Sequence, residues 1–375
     1  MEATLQKLLG SGISYPSLSL IIPGTLRGDH KNERATIGVQ HACKEALAIV
    51  QQTVTPKLYT HIHDRLMQLT SQYDPLMMPQ GVAFFVNTDV SVIMPLKESA
   101  EYTVAVGSIF AMRELLELVR TYTPYVVLVL SDKEARLITG HFDGIAKEFL
   151  SAQLTADSGV AHGFPYKDDT LRERFAHAVA EGDRGADYRD SRTQDFFRRV
   201  DQELHVTLTT YHMPQKVMLC TLPEYKSIFE RVSKHPQIIA MHCPHDYINY
   251  TPERLAKAII PVLKEAHAQE LQAMYTAFEG SINTKKQAYG LNWVWEAAHA
   301  GKVRTLLVER GYQVRGRIDP DNAFHLQPFM GPSEVPLDNL VERVVYEVLQ
   351  RDGEVQVFPN KALQQYECIG AILRY

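Results

Sequence analysis

The sequence has few cysteines for its 375 residues, and they form no recognisable pattern. Cys43, Cys220, Cys243 and Cys368 are far apart, with no Cys-x-x-Cys pair. This spacing argues against both a zinc ribbon and a disulfide framework. Isolated thiols are typical of proteins in a reducing cytosol, so we expect a cytoplasmic protein.

Long hydrophobic runs are also missing from the sequence. No apolar run approaches the ~18 residues that a membrane-spanning helix needs. Residues 1–4 include an acid, and no basic segment followed by an apolar stretch is present at the start. We therefore expect neither a secretory signal nor contact with a membrane.

The chain has no excess of positive charge, since its formal net charge is −5. A general nucleic-acid-binding protein usually carries a basic excess, so this class is disfavoured. Binding to one defined RNA surface stays open, because affinity depends on where the cations lie rather than on their total.

Sequence signatures of common enzymes are missing as well. We find no nucleophile elbow, P-loop, His-Glu-x-x-His or Gly-x-Gly-x-x-Gly motif, and no pair of acids is distinguished by its context. The sequence therefore predicts no catalytic residue, no metal site and no cofactor, and we expect the protein not to be an enzyme.

What the sequence does contain is enough apolar residues, 45%, to build several cores, and its length suggests two or three domains. Residues 1–122 predict a first domain of α/β type. Its elements are a strand at 15–23, an exposed loop at 24–32, two helices joined by a tip at 51–55, three strands near 82–86, 90–93 and 102–106, and a helix at 109–121.

Residues 123–264 predict a second α/β domain. It begins with a β-hairpin over 125–140 and continues with an irregular stretch rich in Gly, Asp and Arg up to about residue 191. The later elements are a helix at 193–209, a strand at 217–220, a helix ending near 229, a strand at 238–241 and a helix after 252. This alternation favours a largely parallel sheet.

Residues 265–375 predict a small α/β sandwich as the third domain. Its elements are a helix at 293–300 that ends at Gly301, a strand at 303–309, a helix at 337–349, a strand at 355–357 and a last strand at 369–373.

Three stretches of sequence resemble the archaeal and eukaryotic class-one release factors and their relative Pelota. They are Ser-Leu-Ile-Ile-Pro at residues 19–23, Phe110 with Glu-Leu-Leu at 114–116 before the hairpin, and Ile-Gly-Ala-Ile-Leu-Arg-Tyr at 369–375. Residues 301–308 resemble a helix-to-strand step of the same C-terminal domain. The resemblance implies a three-domain α/β fold, with a C-terminal domain like the kink-turn-binding ribosomal proteins.

The functional motifs of that family are missing from this chain. The tip at 51–55 lacks Asn-Ile-Lys-Ser, and the stop-codon pattern of Tyr, Cys and Phe is reduced to Phe110, with Val104 and Val106 in the other places. The loop at 155–192, which stands in place of the Gly-Gly-Gln loop, has no paired glycine. We therefore expect neither stop-codon reading nor peptide release by the family mechanism.

The bacterial branch of this family keeps the shape of a factor that fits the ribosomal A site, and includes ribosome hibernation factors of the Balon kind. This chain resembles them best. The resemblance implies a monomer that binds the ribosome, with its first domain at the decoding centre, its second toward the peptidyl-transferase centre and its third near the stalk base. It also suggests EF-Tu as a partner.

Seven cations are candidates for contact with rRNA. Acidic residues lie between the three arginines at 184–192, a pattern that also favours an ordinary salt-bridged loop. The other four candidates lie at loops or a helix start and are also consistent with ordinary surface charge. The seven residues are Arg184, Arg189 and Arg192, followed by Arg27, His30, Lys31 and Lys57.

Several alternatives stay open at this point. One is a rescue enzyme that hydrolyses peptidyl-tRNA or cleaves RNA with residues 160–195, and another is an RNA-binding protein that acts away from the ribosome. His61 and His63, two residues apart on a helix, face different directions and are poorly spaced for a metal. His242-Cys243-Pro244-His245 is better explained as a loop than as a zinc site.

Overall fold

The protein is described by a computed structural model that covers residues 2–24, 31–150, 164–167, 185–281, 284, 286–329 and 338–375. These residues group into two compact units. The first unit combines residues 1–122 with 267–375, and the second consists of 123–266. The division into three domains at 1–122, 123–264 and 265–375 stays a prediction.

The N-terminal part of the first unit is a four-stranded antiparallel sheet with helices. The strands lie in the order β3-β2-β1-β4. The elements are α1 Glu2–Gly10, β1 Ser17–Pro23, α2 Lys31–Thr53, α3 Pro56–Thr70, β2 Gly81–Val86, β3 Ser91–Pro95, β4 Thr103–Gly107 and α4 Met112–Tyr122.

Strand β1 is an internal strand of this sheet and is buried on both faces. Leu18 and Leu20 pack against the hairpin of α2 and α3, whereas Ile21 faces a second core on the opposite side. The sequence predicted the strand and the hairpin. It did not predict α1, whose Leu8 and Leu9 are buried in that second core.

The second unit is a mixed sheet with helices. Its strands lie in the order β10-β9-β5-β6-β7, and β8 pairs with β6. The elements are β5 Tyr125–Leu130, β6 Glu134–Gly140, β7 Ala146–Glu148, β8 Tyr166–Lys167, α5 Gly185–Thr210, β9 Val217–Cys220, α6 Pro223–Val232, a 3-10 turn Pro236–Ile238, β10 Ile239–Cys243 and α7 Pro252–Ser281, which continues into the first unit.

The prediction of a largely parallel sheet was wrong for this unit. Strands β5, β9 and β10 are parallel, as alternating strands and helices require. However, β6, β7 and β8 pair antiparallel. The hairpin of β5 and β6 starts this antiparallel half, because a tight turn joins only antiparallel strands.

Two helices begin earlier than their apolar periodicity indicated. Helix α5 begins at Gly185 rather than near residue 193, so Arg189 and Arg192 are helical and do not lie in a loop. Helix α2 begins at Lys31, within the segment 24–32 that the sequence predicts to be an exposed loop. In both cases the first turns are polar, and a polar turn carries no hydrophobic period from which a helix start is predicted.

The C-terminal part of the first unit has a four-stranded sheet in the order β11-β17-β12-β16 and a small sheet in the order β14-β13-β15. The small sheet was not predicted. The elements are β11 Gln287–Tyr289, α8 Leu291–His299, β12 Val303–Glu309, β13 Arg315–Ile318, β14 Leu326–Pro328, β15 Asp338–Asn339, α9 Leu340–Gln350, β16 Glu354–Phe358, a 3-10 turn Gln364–Tyr366 and β17 Ile369–Leu373.

One continuous hydrophobic core joins the two parts of the first unit. It contains Phe85 and Phe110 from the N-terminal part and Trp295, Leu340 and Val345 from the C-terminal part, all of them buried. Residues 1–122 therefore bury one face of their sheet against the end of the chain. Among the described helices, none combines the length and hydropathy of a membrane span.

Candidate functional site

The tip between α2 and α3 is short and held in place by hydrogen bonds. The Tyr15 hydroxyl donates to Oγ1 of Thr53 at 2.7 Å, and Oγ1 of Thr53 lies 3.0 Å from the carbonyl of Ile49. Thr55 is extended and Pro56 begins α3, as proline at a first helical position favours. Two residues therefore separate the helices, and the tip is a tight turn.

Lys57 lies in the first turn of α3, directly after this tip, and it is exposed. It is the one candidate cation of the first unit whose side chain the structure describes. The backbone of Lys31 begins α2, whereas Arg27 and His30 lie outside the described residues. An exposed cation beside a fixed turn is suited to contact with a phosphate.

In the second unit the three candidate arginines are not all described. Arg184 lies outside the described residues, and only the backbone of Arg189 is described. Arg192 is half-buried in α5, and further along the same helix Nη1 of Arg198 lies 2.5 Å from Oδ1 of Asp195. An arginine and an acid three residues apart on one helix favour a salt-bridged surface for this stretch.

A cleft that the sequence did not indicate runs along β4 in the first unit. Two cavities of about 530 and 590 Å³ share Thr103, Val104, Glu114 and Gln313 in their walls. Strand β4 is the last strand of its sheet and pairs with β1 only, among the residues that the structure describes. The outer edge of β4 therefore faces this cleft.

A buried ion pair forms the floor of the cleft. Nε of Arg113 donates to Oε1 of Glu342 at 2.5 Å, and the exposed fractions of the two side chains are 1% and 8%. Nη1 of Arg113 donates to the carbonyls of Glu309, Arg310 and Tyr312 at 2.9, 2.9 and 2.6 Å. The guanidinium is therefore anchored on both sides and has little freedom to move.

The same carboxylate also caps helix α4. Oε2 of Glu342 accepts hydrogen bonds from the backbone amides of Met112 and Arg113, at 2.7 and 3.2 Å. These amides lie at the helix start, where no intrahelical acceptor exists and negative charge is favoured. Nearby, the amide and hydroxyl of Ser108 both donate to Asp338, at 2.8 and 2.6 Å.

Glu114 is the unsatisfied group of the cleft. Its Oε2 is shielded from solvent and has no hydrogen-bond partner among the described residues. Burial is the main cause that raises the pKa of Glu114 to about 7, with the neighbouring charge of Glu342 second, whereas Arg113 lowers it. A carboxyl in this state is half ionised near neutral pH, and its Oε2 has no donor among the described residues.

His61 and His242 make ordinary contacts with backbone carbonyls. Nε2 of His61 lies 3.4 Å from the carbonyl of Thr88, and Nε2 of His242 lies 3.0 Å from the carbonyl of Thr221. Within the described ranges, no three His, Cys, Asp or Glu side chains are grouped so that they could hold a metal ion.

Comparison with known protein families gives a match over the middle of the chain. Residues 124–302 match the model of the bacterial archaeo-eukaryotic release factor family 3. This middle segment, slightly less than half of the chain, is similar to the bacterial release-factor-like family. No curated protein matches it.

Solved structures similar to this release-factor-like chain include an archaeal translation termination factor, aRF1, with 14% identity over 100% of this chain and 97% of that one, and a TM-score of 0.24. Dom34 of S. cerevisiae is 14% identical over 79% and 74%, with a TM-score of 0.39. An archaeal Pelota, in a model of ribosome-bound Pelota and ABCE1, is 14% identical over 100% and 94%, with a TM-score of 0.40.

The release-factor-like chain has an α/β architecture with several sheets, as the sequence predicted. Its finer likeness to hibernation factors of the Balon kind, and the kink-turn-binding fold of its C-terminal domain, stay predictions. Across the whole sequence no two glycines are adjacent, so the Gly-Gly-Gln motif is absent from the chain and not only from residues 155–192.

Two charged residues on apolar helix faces are the sequence signal for the cleft. Arg113 lies on the apolar face of the predicted helix at 109–121, and Glu342 lies on that of the helix at 337–349. A charged residue on a buried face needs a buried partner. Pairing the two was not possible from sequence, because 229 residues separate them.

Proposed function

We propose that this chain is a ribosome-binding translation factor that occupies the vacant A site without releasing the nascent peptide. It would act by steric occlusion, and so inactivate or protect idle ribosomes in the cytoplasm. The observation that carries the proposal is a release-factor-like sequence over residues 124–302 in a chain that has no adjacent glycines.

The missing glycines matter for a physical reason. In Gly-Gly-Gln the two glycines allow the backbone to approach the peptidyl-tRNA ester closely and to adopt conformations that are unfavourable for other residues. The glutamine helps to place the attacking water. A factor of the same family without this motif keeps a means of binding but not this means of hydrolysis, and we therefore propose that it is not an enzyme.

Binding of rRNA would rest on cations at several points of the surface. Lys57 beside the hairpin tip is the strongest of the seven candidates, because it is exposed and next to a turn that hydrogen bonds hold in place. The roles of Arg192, Arg189, Arg184, Arg27, His30 and Lys31 in rRNA contact remain part of the same proposal, as does delivery by EF-Tu.

The first test is sedimentation of the full-length protein with purified bacterial ribosomes that carry a deacylated tRNA in the P site. We expect the protein to sediment with the ribosomes, and aminoacyl-tRNA delivered by EF-Tu to compete with it. A protein that stays in the supernatant at near-physiological salt contradicts ribosome binding and favours an RNA-binding role elsewhere.

The second test is release of labelled peptide from ribosomes that hold peptidyl-tRNA in the P site. We expect no release above the spontaneous rate, whereas a bacterial release factor at a stop codon serves as the positive control. Release that depends on the protein supports the rescue enzyme instead.

The contribution of Lys57 is measured by the salt dependence of binding. We expect Lys57→Ala to reduce the slope of log Kd against log salt by about 1, as loss of one phosphate contact does. Lys44→Ala is the matched control, since Lys44 is exposed on α2 but roughly 13 Å along the helix from its end at the tip. Equal slopes for the two variants exclude Lys57 from the interface.

A further inference from the structure

The cleft along β4 has the form of a site for an extended chain. An edge strand presents a row of backbone N–H and C=O groups that another strand can pair with. Thr103 to Gly107 line the first of the two cavities without interruption, and every one of these residues is half-buried. Strand addition to such an edge is a general mode of peptide binding.

The walls of the cleft are acidic. Six carboxylates line the two cavities, against four arginines. The carboxylates are Glu98, Glu101, Glu114, Glu117, Asp338 and Glu342, and the arginines are Arg113, Arg120, Arg310 and Arg315. The excess of two carboxylates over arginines favours a cationic ligand over the phosphates of RNA.

Most of these charges already have partners within the protein. Arg120 lies 3.3 Å from Glu98, and Nε of Arg310 donates to both carboxylate oxygens of Glu117 at 3.1 and 3.0 Å. Arg113 is paired with Glu342, as described above. Among the described residues this leaves two glutamates of the second cavity, Glu101 and Glu114, without an ion pair.

Glu114 is the group that indicates the chemistry of a ligand. Its Oε2 is shielded from solvent, has no donor among the described residues and belongs to a side chain that lines both cavities. Buried polar atoms nearly always have a hydrogen-bond partner, so a free one calls for an explanation. A ligand that brings a positively charged donor supplies the missing partner.

We propose that this cleft binds an extended basic peptide, which adds a strand to β4 and places a lysine or arginine side chain against Glu114. Strand pairing uses the edge of β4 that has no partner strand among the described residues, and the cation pairs with the carboxylate of Glu114. A second basic side chain two residues away in the peptide lies on the same face of the new strand, where Glu101 is available. The proposal does not depend on binding to the ribosome.

The test uses fluorescence anisotropy of the full-length protein with a labelled peptide of four Lys-Val repeats. We expect saturable binding of this peptide and none of the matching Glu-Val peptide. Glu114→Gln is expected to weaken binding about tenfold, the effect of losing roughly 1.4 kcal/mol. Glu265→Gln, at an exposed position of α7 in the second unit, is the matched control and should bind as the wild type does.

The wild-type protein should also bind the peptide more tightly at pH 8 than at pH 6. Pairing requires ionised Glu114, whose pKa of about 7 lies between these two values. Burial and the charges of Glu342 and Glu117 raise that pKa, whereas Arg113 lowers it. Glu114→Gln should flatten this profile. Should that variant not fold, Glu101→Gln serves in its place as an exposed substitution that lowers affinity without disturbing the core.

Strand addition is separated from simple charge attraction by a peptide with methyl groups on alternate backbone nitrogens. Such a peptide exists in two registers, with the methyl groups on the odd or on the even residues. We expect at least one of the two to abolish binding, because the backbone pairing to β4 is lost. Three results overturn the proposal. The first is that both methylated peptides bind as well as the parent, and the second is that Glu114→Gln and Glu101→Gln bind as the wild type does. The third is that a uridine octamer or spermidine displaces the peptide at equal concentration.

Discussion

At the scale of single residues, two carboxylates that line the cleft are in opposite states. Glu342 accepts from Arg113 and from two backbone amides, so its charge is fully compensated. Glu114, one residue after Arg113, has an oxygen with no donor among the described residues. The first arrangement stabilises the contact between α4 and α9, whereas the second is more consistent with a binding role than with stability.

The Arg113–Glu342 pair gives a prediction for stability. Arg113→Met leaves the carboxylate of Glu342 buried without its cation, so we expect a loss of about 3–5 kcal/mol in the free energy of unfolding. Urea denaturation followed by tryptophan fluorescence measures it, because both tryptophans, Trp293 and Trp295, belong to the first unit.

Arg317→Met is the control for this substitution. Arg317 is exposed on β13 and bonds to Gln327, so its loss should cost less than about 0.5 kcal/mol. If the Arg113 variant unfolds at the same urea concentration as the Arg317 variant, the buried pair does not stabilise the unit.

At the scale of helices and strands, much of the fold could be predicted from sequence, for a definable reason. Strands β1, β5 and β12 are buried apolar runs, and the hairpin of α2 and α3 has apolar residues at helical spacing, so local pattern was sufficient. The starts of α2 and α5 lack such a pattern. The small sheet of β13, β14 and β15 is held by long-range pairing, which no local pattern indicates.

The candidate site was less predictable than the fold. Lys57 was predicted as an exposed cation and is one, because the tip could be located from two helical periods. The cleft along β4 was missed, since its walls come from residues far apart in sequence. Whether β4 lies at the edge depends on the order of the strands in the sheet, which is β3-β2-β1-β4. Several orders of four strands fit the same pattern of burial, so the sequence does not predict which strand lies at the edge.

The end of α8 provides a prediction at this scale. Gly301 has a φ of +68° just after the helix, and its amide donates to the carbonyl of Ala298. Gly301→Ala should cost about 1 kcal/mol, because a side chain disfavours this left-handed conformation. An added Cβ would meet only the side chain of Arg351 at ordinary distance, so the cost is conformational rather than steric.

Gly280→Ala is the matched substitution with the opposite expected sign. Gly280 is the next-to-last residue of α7, in the first unit, and an added Cβ would meet no atom within 4 Å. Alanine should therefore stabilise by about 0.5–1 kcal/mol. Urea midpoints of the two variants, read by tryptophan fluorescence, should shift in opposite directions. Shifts of the same sign contradict this explanation of Gly301.

At the scale of the whole molecule, the terminal segments and the middle segment bury their apolar side chains in different ways. Residues 123–266 have two cores of their own, one on each face of the mixed sheet, with Leu128 and Val129 of β5 facing opposite cores. Residues 1–122 have one complete core, under the helical hairpin, and share the other with residues 267–375.

This difference predicts which parts of the chain fold alone. We expect the isolated segment 123–266 to unfold cooperatively on heating, because its cores are complete. Isolated 1–122 should lack a cooperative transition, since it exposes Phe85, Phe110 and Leu115, at roughly 1.5–3 kcal/mol for each side chain, and leaves Arg113 without Glu342. Circular dichroism during heating and the dispersion of amide resonances measure both.

Co-expression of 1–122 with 267–375 should restore the transition, because the shared core is then complete. A segment 1–122 that unfolds cooperatively by itself would instead support three independent domains, and would mean that the core under the hairpin is sufficient to hold the sheet.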